Sequence, residues 1–214
     1  MSVSLPNGII LSLATAYASS LTVTAASNAA ECVLTVTNTL AAGDIVELIS
    51  GWSRANNRLF RVKSPTGANL VLEGFDTTST TQFPAGSGTG TIRKINSWTQ
   101  IQQVMDLTSS GGEPQYQTYS FLEDDYDRQI PTTTSAQSLA INIADDPTLG
   151  GYQAMKAAAL SRTVTGLRGA LPQGGFLFYN GIVAFDETPS MSKGNVMQCK
   201  GGFALQGKPV RYAT

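Results

Sequence analysis

No histidine occurs in the 214 residues of this chain. Ser-His-Asp and Cys-His catalysis are therefore excluded, and the commonest transition-metal ligand is missing. Cysteine is almost as scarce: Cys32 and Cys199 stand far apart, and neither has a CxxC partner. Two such residues build neither a zinc site nor a disulfide framework, and they read as buried free thiols. Charged side chains make up only 14%, and they nearly cancel, with 14 basic against 15 acidic. So small a net charge sets little repulsion between copies, and the chain lacks the basic face of a general nucleic-acid binder. No apolar run approaches the ~18 residues that a membrane helix needs, so no membrane partner is expected.

What the chain has in plenty is Gly, Ser, Thr, Ala, Val, Ile and Leu, a composition suited to β structure with many turns. The stretch Gly8-Ile-Ile-Leu-Ser-Leu-Ala-Thr-Ala-Tyr-Ala18 imitates a secretory leader with a small-x-small cleavage site. No Lys or Arg precedes it and Pro6-Asn7-Gly8 is turn chemistry, so residues 8–17 are expected as a first, buried strand. From Ala18 onward, short β runs begin at Leu21, Cys32, Asp44, Leu59, Asn69 and Thr89, with turn signals at Ala42-Gly43-Asp44, Asn56-Asn57, Pro65-Thr66-Gly67 and Pro84-Ala85-Gly86. Strands at that spacing predict a small antiparallel barrel or sandwich over residues 18–96. Its five acids and six bases nearly balance. Gly86-Ser-Gly88-Thr-Gly90 looks like a phosphate loop, but it feeds another strand and no Walker lysine follows, which leaves a hairpin or bulge.

Residues 98–147 hold the least ordinary pattern. An alternating run from Trp98 to Leu107 opens the stretch and another, Ser138-Leu-Ala-Ile-Asn-Ile-Ala144, closes it. Between them lies a connection with Tyr116, Tyr119, Phe121 and the cluster Glu123-Asp124-Asp125-Tyr126-Asp127. Loops beyond about 12–15 residues are usually functional or disordered, and aromatic content argues against disorder. The connection therefore reads as a docking arm. Its acids lack the alternating ligands and central Gly of a calcium loop, and sequence neighbours in one loop do not form a glycosidase pair. Catalytic residues, metal ligands and cofactors are all expected to be absent.

Asp146 and Pro147 suit the cap and first position of a helix running to about Leu160, with Leu149, Tyr152, Met155 and Ala159 on one face. Three β runs beginning at Thr163, Phe176 and Asn195 finish the chain, and Gly166, Gly181, Gly201 and Gly202 inside them are expected to mark bends or bulges. Charge is unevenly spread. Residues 106–146 carry eight acids and one base, Arg128, whereas residues 147–214 carry seven bases and two acids, Asp186 and Glu187. Such poles can attract copies of the chain head to tail, or they can simply solvate separate surfaces.

The order of elements from Trp98 onward resembles the major tail tube proteins of long-tailed, non-contractile bacteriophages, the lambda-type tail protein group. The likeness rests on Val104-Met-Asp-Leu-Thr108, the loop with Gly112-Glu113 and Tyr119 through Asp127, the helix, and the hairpins holding Phe178-Tyr-Asn-Gly-Ile-Val-Ala-Phe185. It covers residues 8–17 and about 97–214. The implied fold is mainly β: a tail-tube-type β-sandwich or barrel subunit with one packed α-helix, over residues 1–17 and 97–214. To this is added an inserted small antiparallel β-barrel or sandwich module, residues 18–96, on the outside. The segments Gly43-Asp-Ile-Val-Glu-Leu48 and Asn57-Arg-Leu-Phe-Arg-Val62 look like small β modules that decorate phage virion proteins.

The resemblance further implies a structural virion protein, assembled in the host cytoplasm, whose hexameric rings stack into a tail tube for genome ejection. Its partners would be other copies of itself and tail proteins such as tape measure, tail tip and terminator, with DNA passing through the lumen without specific binding. Tyr116, Tyr119, Phe121, Glu123, Asp124, Asp125, Tyr126 and Asp127 would form an inter-ring docking loop. Strand alternation then offers Gln100, Gln102, Ser138, Asn142 and Gln198 as lumen-lining candidates. By the same parity Ile101, Gln103, Met105, Met197 and Cys199 would face the core, with Val104 out of step and Lys200 outward beside a neighbouring acid. The alternative function is a tail-tip or surface β protein that binds carbohydrate or protein, an adhesin-like module that would stay a discrete monomer or trimer.

Overall fold

A computed structural model describes residues 7–213. Residues 1–6 and Thr214, which the sequence assigns to the larger domain, lie outside the described residues. The order of elements is β1 (Ile10–Tyr17), β2 (Leu21–Val23), β3 (Ala25–Ala26), β4 (Val33–Thr35), β5 (Ile45–Ser50), β6 (Arg58–Pro65), β7 (Asn69–Leu72) and β8 (Gly90–Ile101). Then come β9 (Val104–Ser110), β10 (Pro114–Tyr119), β11 (Arg128–Thr134), β12 (Ser138–Ala144), the helix α1 (Gly150–Ser161), β13 (Val164–Ala170), β14 (Phe176–Ser190), β15 (Gln198–Leu205) and β16 (Val210–Tyr212). The protein is mainly β with one helix, as expected.

One 14-stranded sheet runs β3-β4-β7-β6-β5-β8-β1-β13-β14-β15-β12-β9, with β2 joined to β8 and β16 to β14 beside this path. β8 is its hinge line. Residues from Gly90 to Lys94 pair with β5, whereas Ile95 to Ile101 pair with β1. The boundary drawn between residues 96 and 97 thus falls inside one continuous strand. From β8 the path crosses five strands before it reaches β9, yet β9 begins only three residues after β8 ends. The sheet therefore curls back on itself as a half-barrel.

Three clusters fill this frame. Trp52, Phe60, Leu34, Leu48, Leu70 and Leu72 centre a core within the 18–96 segment. Leu13, Ile101, Ile141, Ile143, Val183 and Phe203 centre a second, in the curl of the sheet. Burial of each such side chain stabilises the fold by about 1.5–3 kcal/mol. A third cluster, Ala14, Leu59, Ile95, Phe178 and Tyr212, joins the two regions. Beside it the buried carboxylate of Glu47 pairs with Arg93 and accepts a hydrogen bond from Asn180 Nδ2 at 2.7 Å. The Arg93 guanidinium lies 4.0 Å from the centre of the Tyr17 ring, and the Tyr17 hydroxyl accepts the Gly166 N–H at 2.8 Å. Polar groups from β1, β5, β8, β13 and β14 therefore largely satisfy one another at the joint, as burial demands, with Asn180 Oδ1 left unpartnered.

The helix starts later than its sequence signals suggest. Leu149 is the N-cap and supplies no side-chain hydrogen bond. Asp146 instead accepts the Thr148 N–H and hydroxyl at 3.1 and 2.6 Å, which closes a turn before the helix. A helical N–H at the opening turn goes to a distant residue: Gln102 Oε1 accepts from Gly151 at 3.1 Å. A Cβ at Gly151 would lie 2.5 Å from the Gln100 carbonyl, so only glycine lets the helix start against the end of β8. Tyr152 then packs edge-on against Phe185, and Met155 is fully buried.

The glycines of the last strands do not mark bulges. Gly166, Gly181 and Gly201 lie in unbroken registers. They make room for close packing instead: a Cβ on Gly201 would meet Met155 Cε at 2.6 Å, and one on Gly181 the Phe203 ring at 2.8 Å. Register shifts occur elsewhere, at Ala14–Tyr17, at Asn142–Ile143 and between Asp186 and Ser190. In the glycine-rich segment, Gly88 lies against the Trp52 ring, and the chain there leads into β8. Both thiols are free and buried.

Candidate functional site

The arm is not an irregular loop but a β-hairpin. Among the described residues β10 and β11 pair only with each other, as a separate two-stranded sheet. The alternation in Pro114-Gln-Tyr-Gln-Thr-Tyr119 was the available signal for β10. Pro131 hid β11, although proline is tolerated where a strand has a free side. An isolated hairpin is marginal in water without a hydrophobic face to pack. Here the apolar groups point outward: Phe121 is 55% exposed, Tyr126 65%, and Leu122 fully so. The tip is ordered by Arg128, which pairs with Asp124 at 2.9 Å and lies over the Tyr126 ring. Tyr119 and Phe121 meet edge to face, with centroids 5.7 Å apart. Glu123, Asp125 and Asp127 remain exposed and outside any ion pair among the described residues.

The hairpin grows from the margin of the main sheet, between β9 and β12. Each margin of that sheet is handled differently. β3 is only two residues long, and brevity blunts an edge. β9 is seven residues long, contains no Lys or Pro, and among the described residues pairs with β12 alone. Met105 is 49% exposed there, so the core position expected for it is wrong. The cause is Gln103, whose φ of 55° belongs to the left-handed region. That turn ends β8 and resets the alternation, which explains why Val104 falls out of step. Met197 is likewise exposed at 41%, because it precedes β15, while Cys199 is buried as expected.

Paired residues of an antiparallel sheet share a face, so the registers show which candidate lining residues lie together. Ser138 pairs with Ser110 and Ala204, Ala140 with Thr108 and Gly202, and Asn142 with Asp106 and Lys200. Lys200 in turn faces Asp186, and Gln198 pairs with Ala144. This forms an open face of small and polar side chains. Gln100 belongs to the same face but pairs with Ser12, which pairs with Arg168, in the half next to the joint. Gln102 is engaged at the helix start and is not part of that surface.

Two clefts flank these surfaces. One, of about 360 Å³, lies between the start of β1 and the β9 margin, lined by Gly8, Ile9, Val104 and Leu107. The other runs between the arm's root and the 18–96 segment, where Arg54, Gln137 and Lys208 contribute. No group of three or more metal-ligating side chains occurs among the described residues. No helix among them is long and apolar enough to cross a membrane.

A family model described as phage tail tube protein matches residues 50–214. That match begins inside the 18–96 segment and takes in the margin, the arm, the open face and the part of the joint that follows residue 50. Among solved structures, a chain from the virion of a native gene transfer agent particle aligns at 11% identity and a TM-score of 0.41, over 54% of this chain and 89% of that one. No curated protein matches.

Proposed function

The chain belongs to the phage tail tube protein family, and from that premise we propose that its copies join edge to edge into rings, six to a ring, which stack into the channel for genome ejection. It is a structural protein of the virion tail. The observation that carries the ring is the β9 margin: a long, unprotected edge is a template for another strand, and closure by a neighbour removes the hazard. The arm would carry the stacking contact, with its aromatic and acidic tip covered by a copy in the adjacent ring.

The open face of Ser138, Ala140, Asn142, Ala184, Ala204 and Gln198 would line the lumen. Most of these groups are small and neutral, and the one lysine of the face, Lys200, is paired across strands with Asp186 and lies one strand from Asp106, so phosphate is held weakly; strong phosphate binding would stall DNA in transit. The 18–96 segment would stand outside, fixed through the joint. Tape measure, tail tip and terminator proteins would meet the tube at its bore and ends, after assembly in the host cytoplasm. The role is architectural, without chemistry of its own.

Negative-stain microscopy of the purified chain tests this function. Rings or tubes are expected. A population of discrete monomers or trimers under all assembly conditions would favour the adhesin-like alternative.

A further inference from the structure

Among the described residues five arginines lie over aromatic rings, and three of them also hold a carboxylate. Arg61 sits over Tyr212 and pairs with Glu73; Arg93 sits over Tyr17 and pairs with Glu47; Arg128 sits over Tyr126 and pairs with Asp124. Arg58 lies over Phe60 and Phe75 and donates to the Arg54 carbonyl at 3.2 Å. Arg168 differs. Its guanidinium lies 4.9 Å from the Trp98 ring centre and 5.7 Å from that of Phe176. Its Nε, like that of Arg58, is buried without a hydrogen-bond partner, but Arg168 has neither the carbonyl acceptor that Arg58 finds nor a place in any ion pair among the described residues.

A guanidinium held between two rings is pre-aimed, with its fork fitted to a planar carboxylate. Leaving it without an anion costs desolvation that the other paired arginines recover. Trp98, Arg168 and Phe176 are each only partly buried, so the platform is open to a visitor. The visitor's chemistry is on the same chain. The arm tip carries three unpaired acids, Glu123, Asp125 and Asp127, beside the exposed Phe121, Leu122 and Tyr126. Charge and aromatic character are complementary on the two surfaces. We propose that the Trp98–Arg168–Phe176 platform seats an acidic side chain from the arm of a second copy. This rests on the reading of the arm as a contact between copies and names the surface that receives it.

The test uses the full chain and reads the assembled fraction by sedimentation and microscopy. Arg168→Glu, and separately the triple change Glu123→Lys, Asp125→Lys and Asp127→Lys, should each weaken assembly at least about tenfold, since close interfacial charge pairs couple by more than that factor. Both sets in one chain should restore most of the loss, a result that a merely structural Arg168 would not give. Arg168→Gln guards against misfolding: it should melt within a few degrees of the parent and still assemble poorly. Normal assembly of Arg168→Glu or Arg168→Gln, alongside failure of a chain lacking residues 114–134, would overturn the platform and leave the arm's role standing. Normal assembly of the arm-deleted chain would sink both. If Arg168→Glu changed only affinity for a short DNA duplex, the platform would be a phosphate seat and the proposal wrong.

Discussion

The 18–96 segment and the 111–137 arm are both excursions from the same curled sheet, and they are built on opposite terms. The first has its own core around Trp52 and Phe60, then locks to the sheet through Leu59, Phe178, Tyr212 and the Glu47–Arg93–Asn180 network. The second has a single hairpin ladder, one ion pair, and aromatic rings facing solvent. One excursion is complete in a single copy. The other leaves apolar and charged surface open, of the kind that marks an interaction site. Under the proposed assembly, stability and association would rest on different parts of the chain.

The sharpest way to break that contrast is to empty the segment's core. Phe60→Ala should cost about 3–5 kcal/mol in denaturant unfolding, whereas Tyr116→Ala in the arm should stay within about 0.5 kcal/mol. Equal losses would show that the arm is packed in the lone chain. Next in size, Glu47→Gln should cost about 2–3 kcal/mol, less than a wholly buried pair because the Arg93 side chain keeps 29% exposure. Near-parent stability in that variant would mean that the joint is held by its apolar cluster alone.

A smaller effect should appear in acid. Hydrogen bonding from Arg61 holds the Glu73 carboxyl below its ordinary value of 4.5. A carboxylate depressed in the folded state stabilises it above the unfolded value, and that gain is lost as pH falls through the folded one. Glu73→Gln should therefore flatten the dependence of melting temperature on pH below about 4.5, with little effect on the arm, which can be followed by exchange of its amides. An unchanged acid slope would remove this pair from the account of the segment's stability.

Much of the sheet was legible because alternation is a local signal: Leu139, Ile141 and Ile143 are buried as their spacing predicts, and β1, β5 to β7 and β13 to β15 lie near their expected places. What alternation cannot show is a contact across the chain. The helix start was misplaced because Asp146 and Pro147 form a plausible cap, while the real acceptor, Gln102, is 49 residues away. Trp98 to Leu107 looked like one strand because no glycine or proline marks the turn at Gln103. The last-strand glycines resembled bulge sites, yet their purpose depends on Met155 and Phe203 packing over them. Among the candidate surface residues, the aromatic and acidic content of the arm was visible at once. The platform at Arg168 was not, since its three members come from β8, β13 and β14 and share no sequence pattern.

Hydrogen–deuterium exchange on the unassembled and assembled protein tests the division most directly. In lone copies the amides of β10 and β11 should exchange rapidly while those of β5, β6 and β8 stay protected, and on assembly the arm should slow by orders of magnitude with the 18–96 core unchanged. An arm that exchanged equally fast in rings or tubes would contradict the claim that a second copy completes it.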